Sequence, residues 1–196
     1  MSKVAIKGNT SGTGTFTVEA PNSNTDRTLV LPDSAGTIAT TNGITQLDMW
    51  RVNTSLLNKT DTDYISSGWE RVDDATFGYI GDGMTESSGI FSFPTTGYWT
   101  VDWILQAKAD GARTYIGAFI KATADNSSYD MVGESYTGAY GSNVYVQIPT
   151  HAIIKVQDIT NYKVQLWYDA SAGSTDILGD TGSHRSSVKF VKIGDL

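Results

Sequence analysis

The segment at residues 89–99, with the sequence GIFSFPTTGYW, constrains the fold of this chain more than any other feature. Phe91 and Phe93 lie two positions apart, so an extended backbone places both rings on one face. Pro94 fixes φ at about −65° and Gly97 relieves the steric limit at a turn, so the segment predicts a tight corner followed by a second strand. The corner and its aromatic residues indicate a β protein whose strands are joined by short turns.

The composition agrees with a β protein and argues against several functions. The 196 residues include 20 Gly and many aromatic residues (5 Trp, 10 Tyr and 6 Phe), whose stiff side chains suit strands and interfaces. The net charge of −7 and the scattering of the 14 basic residues argue against nucleic-acid binding. The absence of Cys removes disulfides and thiol chemistry, and it mildly favours a microbial or viral origin. Because the amino-terminal residues contain no long apolar run, we expect neither a signal peptide nor membrane insertion.

Alternating apolar residues predict strands throughout the second part of the chain. In the clearest case, Trp99, Val101 and Trp103 open an apolar face that continues to residue 107, with more polar residues between them. A 3.6-residue apolar period is hinted at only weakly, near residues 44–57. The pattern predicts an all-β sandwich of two antiparallel sheets. Further predicted strands are 114–121, 143–148, 152–156, 162–168 and 187–193.

Residues 1–45 differ in composition from the rest and are rich in Thr, Ser, Gly and Asn. Two short strands are predicted there, at 15–20 and 27–31, with a turn at 21–26. Strands as few as these bury little area, so we expect the segment to fold against other chains. The sequence therefore predicts two domains, an extended β arm at 1–45 and a β-sandwich head at 46–196.

The sequence offers little basis for catalysis or metal binding. We expect His151 at a turn and His184 in a Gly- and Ser-rich loop, and neither lies in a catalytic triad motif. Carboxylates such as Asp61 and Asp73 are weak metal candidates, because their spacing does not match that of known calcium loops. We therefore predict a protein that is not an enzyme and that has no metal site and no cofactor.

Four tyrosines are the candidate ligand contacts. Tyr129, Tyr136, Tyr140 and Tyr145 lie in and around a Gly-, Ser- and Asn-rich stretch at 125–143, which we expect to form loops. Aromatic rings in such loops stack on sugar rings or fill protein interfaces, because they offer a large apolar area at low entropic cost. The composition favours packing in a core or interface, and contact with a surface ligand is the alternative.

The segment at 89–99 resembles the core hairpin of tumour-necrosis-factor-like and complement globular-head jelly rolls. The motif G-x-F-x-F-P-x-x-G-Y carries the resemblance. It extends more loosely to IGAFIK at 116–121, VQLW at 164–167 and SSVKFVKI at 186–193, although the last strand departs from the family's usual small and aromatic pair. The resemblance implies a jelly-roll head that works without catalysis, as a homotrimer.

The amino-terminal arm resembles a module of bacteriophage tail and fibre proteins. The matching stretches are GTGTFTVEAP at 12–21, RTLVLP at 27–32 and AGTIAT at 35–40. In those proteins the module precedes a trimeric distal domain. The resemblance implies a virion protein at the capsid surface or in the tail, with other virion proteins as partners.

Three functions are consistent with these observations. The first is a non-enzymatic trimeric fibre or capsid-decorating protein that contacts a glycan of the host surface. The second is a glycan-degrading tailspike domain, which the short chain and the lack of an opposed acid pair disfavour. The third is a soluble sugar-binding module of a bacterial cell.

Overall fold

The protein is described by a computed structural model that covers residues 43–196, together with 11–15, 17, 22, 24–26 and 28. These residues form thirteen strands and contain no helix, hence none long and apolar enough to cross a membrane. The strands are β1 (Leu47–Val52), β2 (Thr54–Lys59), β3 (Thr62–Tyr64), β4 (Trp69–Arg71), β5 (Thr85–Ser87), β6 (Ile90–Ser92), β7 (Gly97–Ala109), β8 (Arg113–Thr123), β9 (Asp130–Ala139), β10 (Val144–Val156), β11 (Lys163–Asp169), β12 (Thr175–Asp180) and β13 (Ser187–Gly194).

The strands form two sheets in which every pair is antiparallel, which confirms the predicted all-β sandwich. Sheet A is built on β7: β10 pairs with its whole length, and β13 and β12 share its other edge. Strands β1 and β4 extend sheet A beyond β13, and β2 extends it beyond β12. Sheet B follows the order β5, β6, β11, β8, β9, with β3 paired to β11 beside β6. Strand β10 is therefore an edge of sheet A, and β9 is an edge of sheet B.

Aromatic side chains fill the space between the sheets. Phe91 lies with its ring centre 5.1 Å from Trp69 and 5.2 Å from Phe190, and Trp69 lies 5.6 Å from Trp103. Phe93 is also buried, so both phenylalanines face the core, as their spacing predicts. Edge-to-face and tilted ring pairs of this kind each contribute about 0.5–1.5 kcal/mol beyond the burial of apolar area.

The corner at residues 89–99 crosses from one sheet to the other. Its first strand, β6, belongs to sheet B, whereas β7 belongs to sheet A, so the predicted corner is confirmed but the expected hairpin is wrong. Gly97 has φ of +137°, and a Cβ there would lie 2.5 Å from the carbonyl oxygen of Gly194. The indole of Trp99 donates to the carbonyl of Thr95 at 3.2 Å and closes the turn. The corner thereby positions the first residues of the central strand.

Strand β10 is continuous where the sequence predicted two strands with a turn between them. The expected turn at Pro149 and His151 is therefore wrong, and both side chains lie on the outer face of the strand. Proline removes a backbone donor, but an edge strand tolerates this loss because one of its sides has no partner strand. The pairing with β7 keeps the backbone extended through Pro149, which lies opposite Ile104.

The structure differs from the local sequence pattern in two further places. The weak apolar period near 44–57 leads to no helix, because these residues form β1 and β2, whose pairing with β13 and β12 outweighs the weak local pattern. The stretch at 125–143 was expected to form loops, yet residues Asp130–Ala139 form β9. Strand β9 pairs with β8 along a sheet edge, where small and polar residues are compatible with extended backbone.

The predictions for the arm fall mainly outside the described residues. Of the strands predicted at 15–20 and 27–31, only residues 15, 17 and 28 are described. The arm strands and the division of the chain into 1–45 and 46–196 stay predictions.

We predict that Gly97→Ala lowers the free energy of unfolding by about 2–4 kcal/mol, because the backbone strain and the clash with β13 add. The matched control is Gly78→Ala, where a Cβ would meet no atom within 4 Å and where we expect a change within about 0.5 kcal/mol. Urea unfolding at fixed protein concentration, followed by tryptophan fluorescence, measures both. Equal stabilities of the two variants would contradict the role assigned to the corner.

Candidate functional site

The four candidate tyrosines lie in different parts of the head. Tyr129 is half-buried just before β9, and Tyr140 lies in the turn after β9 and is 95% exposed. Tyr136 lies on β9 and Tyr145 on β10, with exposures of 53% and 63%. Tyr136 faces outward from sheet B and Tyr145 faces outward from sheet A, so the structure does not bring these two together.

Tyr136 borders a depression on the outer face of sheet B. Strand register places Gly117 of β8 directly opposite both Tyr136 on β9 and Asp169 on β11. Along β8, the outward neighbours of this glycine are Tyr115 and Phe119. Gly117, which has no side chain, therefore lies between the outward side chains of Tyr136 and Asp169 and leaves a depression between them.

The depression is a groove of about 330 Å³ lined by Tyr115, Tyr136 and Asp169, and we call it the Tyr115–Tyr136 groove. The two tyrosine rings meet edge to face, with centres 5.9 Å apart and planes at 88°. Phe119 packs against Tyr136 at 5.3 Å, and a Cβ at Gly117 would lie 2.8 Å from the Phe119 ring. The glycine thus allows the Phe119 ring to lie flat against the strand.

Asp169 places a negative charge in the groove and is only 8% exposed. Its Oδ1 accepts hydrogen bonds from the hydroxyl of Thr62 (2.8 Å), the backbone N–H of Ser171 (2.9 Å) and the hydroxyl of Ser171 (2.6 Å). Burial acts to raise the pKa of Asp169, but these hydrogen bonds outweigh it and lower the pKa below its ordinary value. Asp169 is therefore ionised at neutral pH, and no donor in the described part of the chain reaches its Oδ2.

The tyrosine hydroxyls supply polar groups beside this carboxylate. The Tyr115 hydroxyl lies 3.1 Å from the Ser171 hydroxyl, which itself donates to Asp169. Burial, together with the negative charges of Glu134 and Asp169, raises the pKa of Tyr136, so its phenol keeps its proton. The groove therefore combines two aromatic faces, hydroxyl groups and a fixed carboxylate oxygen.

The weak metal candidates are engaged in ion pairs. Asp73 and Asp74 bind the buried guanidinium of Arg51 at 2.6 and 3.0 Å, and His184 lies 3.3 Å from Asp74. Asp61 accepts a hydrogen bond from the hydroxyl of Tyr168 at 3.0 Å. Within the described ranges, His, Cys, Asp and Glu side chains form no group of three or more that could hold a metal ion.

Sequence reasoning missed Tyr115, Gly117 and Asp169 as members of a site. A signal for Tyr115 is present, because Tyr115 and Phe119 alternate with the apolar residues of β8 that face the core. Two aromatic residues on the outward side of one strand form a contiguous apolar patch, and a patch of this kind indicates an interface or ligand contact. Asp169 carries no such signal, since only the pairing of β8 with β11 brings it to the groove.

Comparison with known proteins identifies the fold. No protein-family model matches this sequence, and no curated protein sequence matches it significantly. Among solved structures, murine APRIL at pH 8.5 superposes with a TM-score of 0.54 at 9% identity, covering 76% of this chain and 98% of its own. Eiger TNF from S. frugiperda superposes with a TM-score of 0.55 at 14% identity, covering 76% and 93%. The head is therefore a tumour-necrosis-factor-like jelly roll, as the motif at 89–99 predicts.

We predict that Asp169→Asn destabilises the protein by about 1–3 kcal/mol at pH 7, because the charge-assisted hydrogen bonds from Thr62 and Ser171 become neutral ones. The lowered pKa fixes the pH dependence. The native contribution of Asp169 is complete above the unfolded-state pKa of about 4 and disappears as pH falls through the folded-state pKa.

The difference between the thermal unfolding midpoints of wild type and Asp169→Asn should therefore be largest near pH 7 and narrow below about pH 4. The control is Asp130→Asn on the exposed start of β9, where we expect a small difference at every pH. If the difference in unfolding midpoint between wild type and Asp169→Asn stays constant from pH 7 to pH 3, Asp169 does not stabilise the fold through its ionised form.

Proposed function

We propose that this protein is a non-enzymatic, homotrimeric virion protein of a bacteriophage, a fibre or capsid-decorating protein whose head contacts the host surface. The observation that carries the proposed assembly is the outer face of sheet A. The resemblance of the arm to phage tail and fibre modules supports the virion context, and the jelly-roll head supports a binding role.

The outer face of sheet A mixes exposed apolar residues with polar and charged ones. Strands β7, β10 and β13 contribute it, and we call it the open face of sheet A. Ile153 is 67% exposed on the edge strand β10, and Tyr98, Tyr145 and Pro149 are also exposed. The members of the face, from the strand register, are Tyr98, Thr100, Asp102, Ile104, Gln106, Lys108, Tyr145, Gln147, Pro149, His151, Ile153, Lys155, Ser187, Lys189 and Val191.

The charges on this face suit association between copies of a chain whose net charge is −7. On these three strands the face holds one carboxylate, Asp102, which is paired with Lys189 at 3.1 Å, alongside Lys108 and Lys155. Asp176 of the adjacent strand β12 lies opposite Lys108, with its carboxylate 3.9 Å from the ammonium, so the cations still outnumber the carboxylates on this side of the sheet. Most of the excess negative charge therefore lies elsewhere, so copies that meet through the open face keep their acidic surfaces apart. Other copies of this chain are the occupant we propose for the face.

The proposed location is the virion, on the capsid surface or in the tail, with the arm as the attachment to other virion proteins. The short predicted strands of the arm need partners to bury area, and intertwined copies would supply them. Electron microscopy of phage particles labelled with antibodies against the head tests this location. Label along the tail or on the capsid supports the proposal, and unlabelled particles contradict it.

A soluble sugar-binding module is the second candidate, and the Tyr115–Tyr136 groove favours it. The two candidates differ in assembly. A free-standing module works as a single copy, whereas the fibre or decoration protein needs three copies of the chain.

We predict that the full chain sediments as a trimer of about 63 kDa, three times its mass of 21.1 kDa. Analytical ultracentrifugation at micromolar concentration provides the measurement. A single species near 21 kDa would overturn the trimer and favour the soluble module.

We also predict that Ile153→Lys weakens the trimer by about 100-fold or more, because it replaces an exposed apolar side chain of the proposed interface with an unpaired ammonium group next to Lys155. The control is Ile159→Lys in the exposed turn between β10 and β11, which should leave the sedimenting mass unchanged. If Ile153→Lys stays trimeric at the concentrations where wild type does, the open face is not the interface.

A further inference from the structure

We infer that the Tyr115–Tyr136 groove is a binding site for a neutral saccharide, with Tyr115, Tyr136 and Asp169 as its contact residues. The inference deepens the proposed host contact and rests on that function for its biological setting. Its chemistry depends only on the head itself, so it can be tested independently of the trimer.

The aromatic part of the groove suits the apolar face of a pyranose ring. Tyr115 and Tyr136 stand at 88° to each other and are partly exposed, so they form two walls of a corner. Phe119 packs behind Tyr136 and fixes its ring, which reduces the conformational entropy lost when a ligand stacks on it. Preorganised rings of this kind offer the C–H groups of a sugar a rigid apolar surface.

The polar part of the groove suits sugar hydroxyls. Three donors on its own chain hold Oδ1 of Asp169, so the carboxylate is fixed in orientation while Oδ2 keeps its accepting capacity. A carboxylate oxygen forms short, charge-assisted hydrogen bonds with O–H donors. The hydroxyls of Tyr115 and Tyr136 can each donate or accept, which matches the dual character of a sugar hydroxyl.

The charge of the groove selects neutral over acidic sugars. Asp169 lines the groove, and Glu134 lies opposite Phe119 on the same outer face of sheet B. Lys121, two residues beyond Phe119 on β8, holds its ammonium 3.5 Å from the ring centre of Trp167 and does not line the groove. A uronic or sialic carboxylate would therefore meet like charge without a compensating cation.

The dimensions of the groove suit one or two sugar rings. Its volume of about 330 Å³ lies at the lower end of the roughly 300–1,000 Å³ typical of small-molecule sites. A shallow site of this size gives weak binding by a single head, on the order of millimolar. In a trimer, three such grooves would engage a repeating polysaccharide together and gain affinity through avidity.

The test uses the full chain and saturation-transfer NMR with the methyl glycosides of glucose, galactose, mannose and N-acetylglucosamine, with methyl glucuronide as the acidic comparison. We expect at least one neutral glycoside to bind and the glucuronide to bind at least about tenfold more weakly. Tyr136→Ala and Asp169→Asn should each weaken binding about tenfold or more. Tyr136→Phe should keep the stacking surface and stay within about threefold of wild type.

The controls are Tyr140→Ala and Tyr79→Ala, which remove exposed tyrosines outside the groove and outside the open face of sheet A and should leave binding unchanged. Thermal unfolding confirms that each variant is folded at the temperature of the titration. Absence of binding to every neutral glycoside overturns the inference. So does preference for the glucuronide, or loss of binding in the control variants but not in Tyr136→Ala. Sedimentation decides the trimer separately, since a monomer that binds the glycosides would keep the site and remove the proposed assembly.

Discussion

The packing of aromatic rings between the two sheets is the interaction on which the rest of this structure depends. Phe91 of sheet B packs against Trp69 of β4 and Phe190 of β13, both in sheet A, and thereby joins residues that are far apart in sequence. Because these rings fix which face of each strand points inward, they also fix every outward residue by alternation. A shift of the β7 pairing by one residue would expose Trp103 and bury the carboxylate of Asp102. Burying an unpaired charge would destabilise the fold strongly.

The Tyr115–Tyr136 groove is a consequence of that same register. Core packing turns Ile116, Ala118 and Ile120 inward, so the alternate residues of β8 must face solvent. Glycine at position 117 then leaves a gap in the outward row between Asp169 and Tyr136. The site therefore needs no separate folding element, because a stable sandwich with this sequence already places its walls and its carboxylate.

Features of the fold that depend on residues close in sequence could be predicted, whereas features that depend on pairing between distant strands could not. Long alternation identified β7, and the spacing of Phe91 and Phe93 identified the corner, because both depend on local geometry. Local reasoning failed at β10, where pairing with β7 holds Pro149 in an extended backbone, and at β9, whose residues carry no strong alternation. The groove could be predicted only in part. The alternation within β8 indicates that Tyr115 faces outward. Asp169 could not be predicted in the same way, because it reaches the groove only through the pairing of β11 with β8, between residues about fifty positions apart.

The two outer faces of the sandwich point in opposite directions, and this separates assembly from binding. The open face of sheet A presents Ile153 and other exposed apolar residues on one side, and sheet B presents the groove on the other. Copies that associate through sheet A would bury this face and leave each groove facing outward to solvent. Association would then increase the number of grooves without obstructing any of them, which is the arrangement that multivalent attachment to a repeating surface polymer requires.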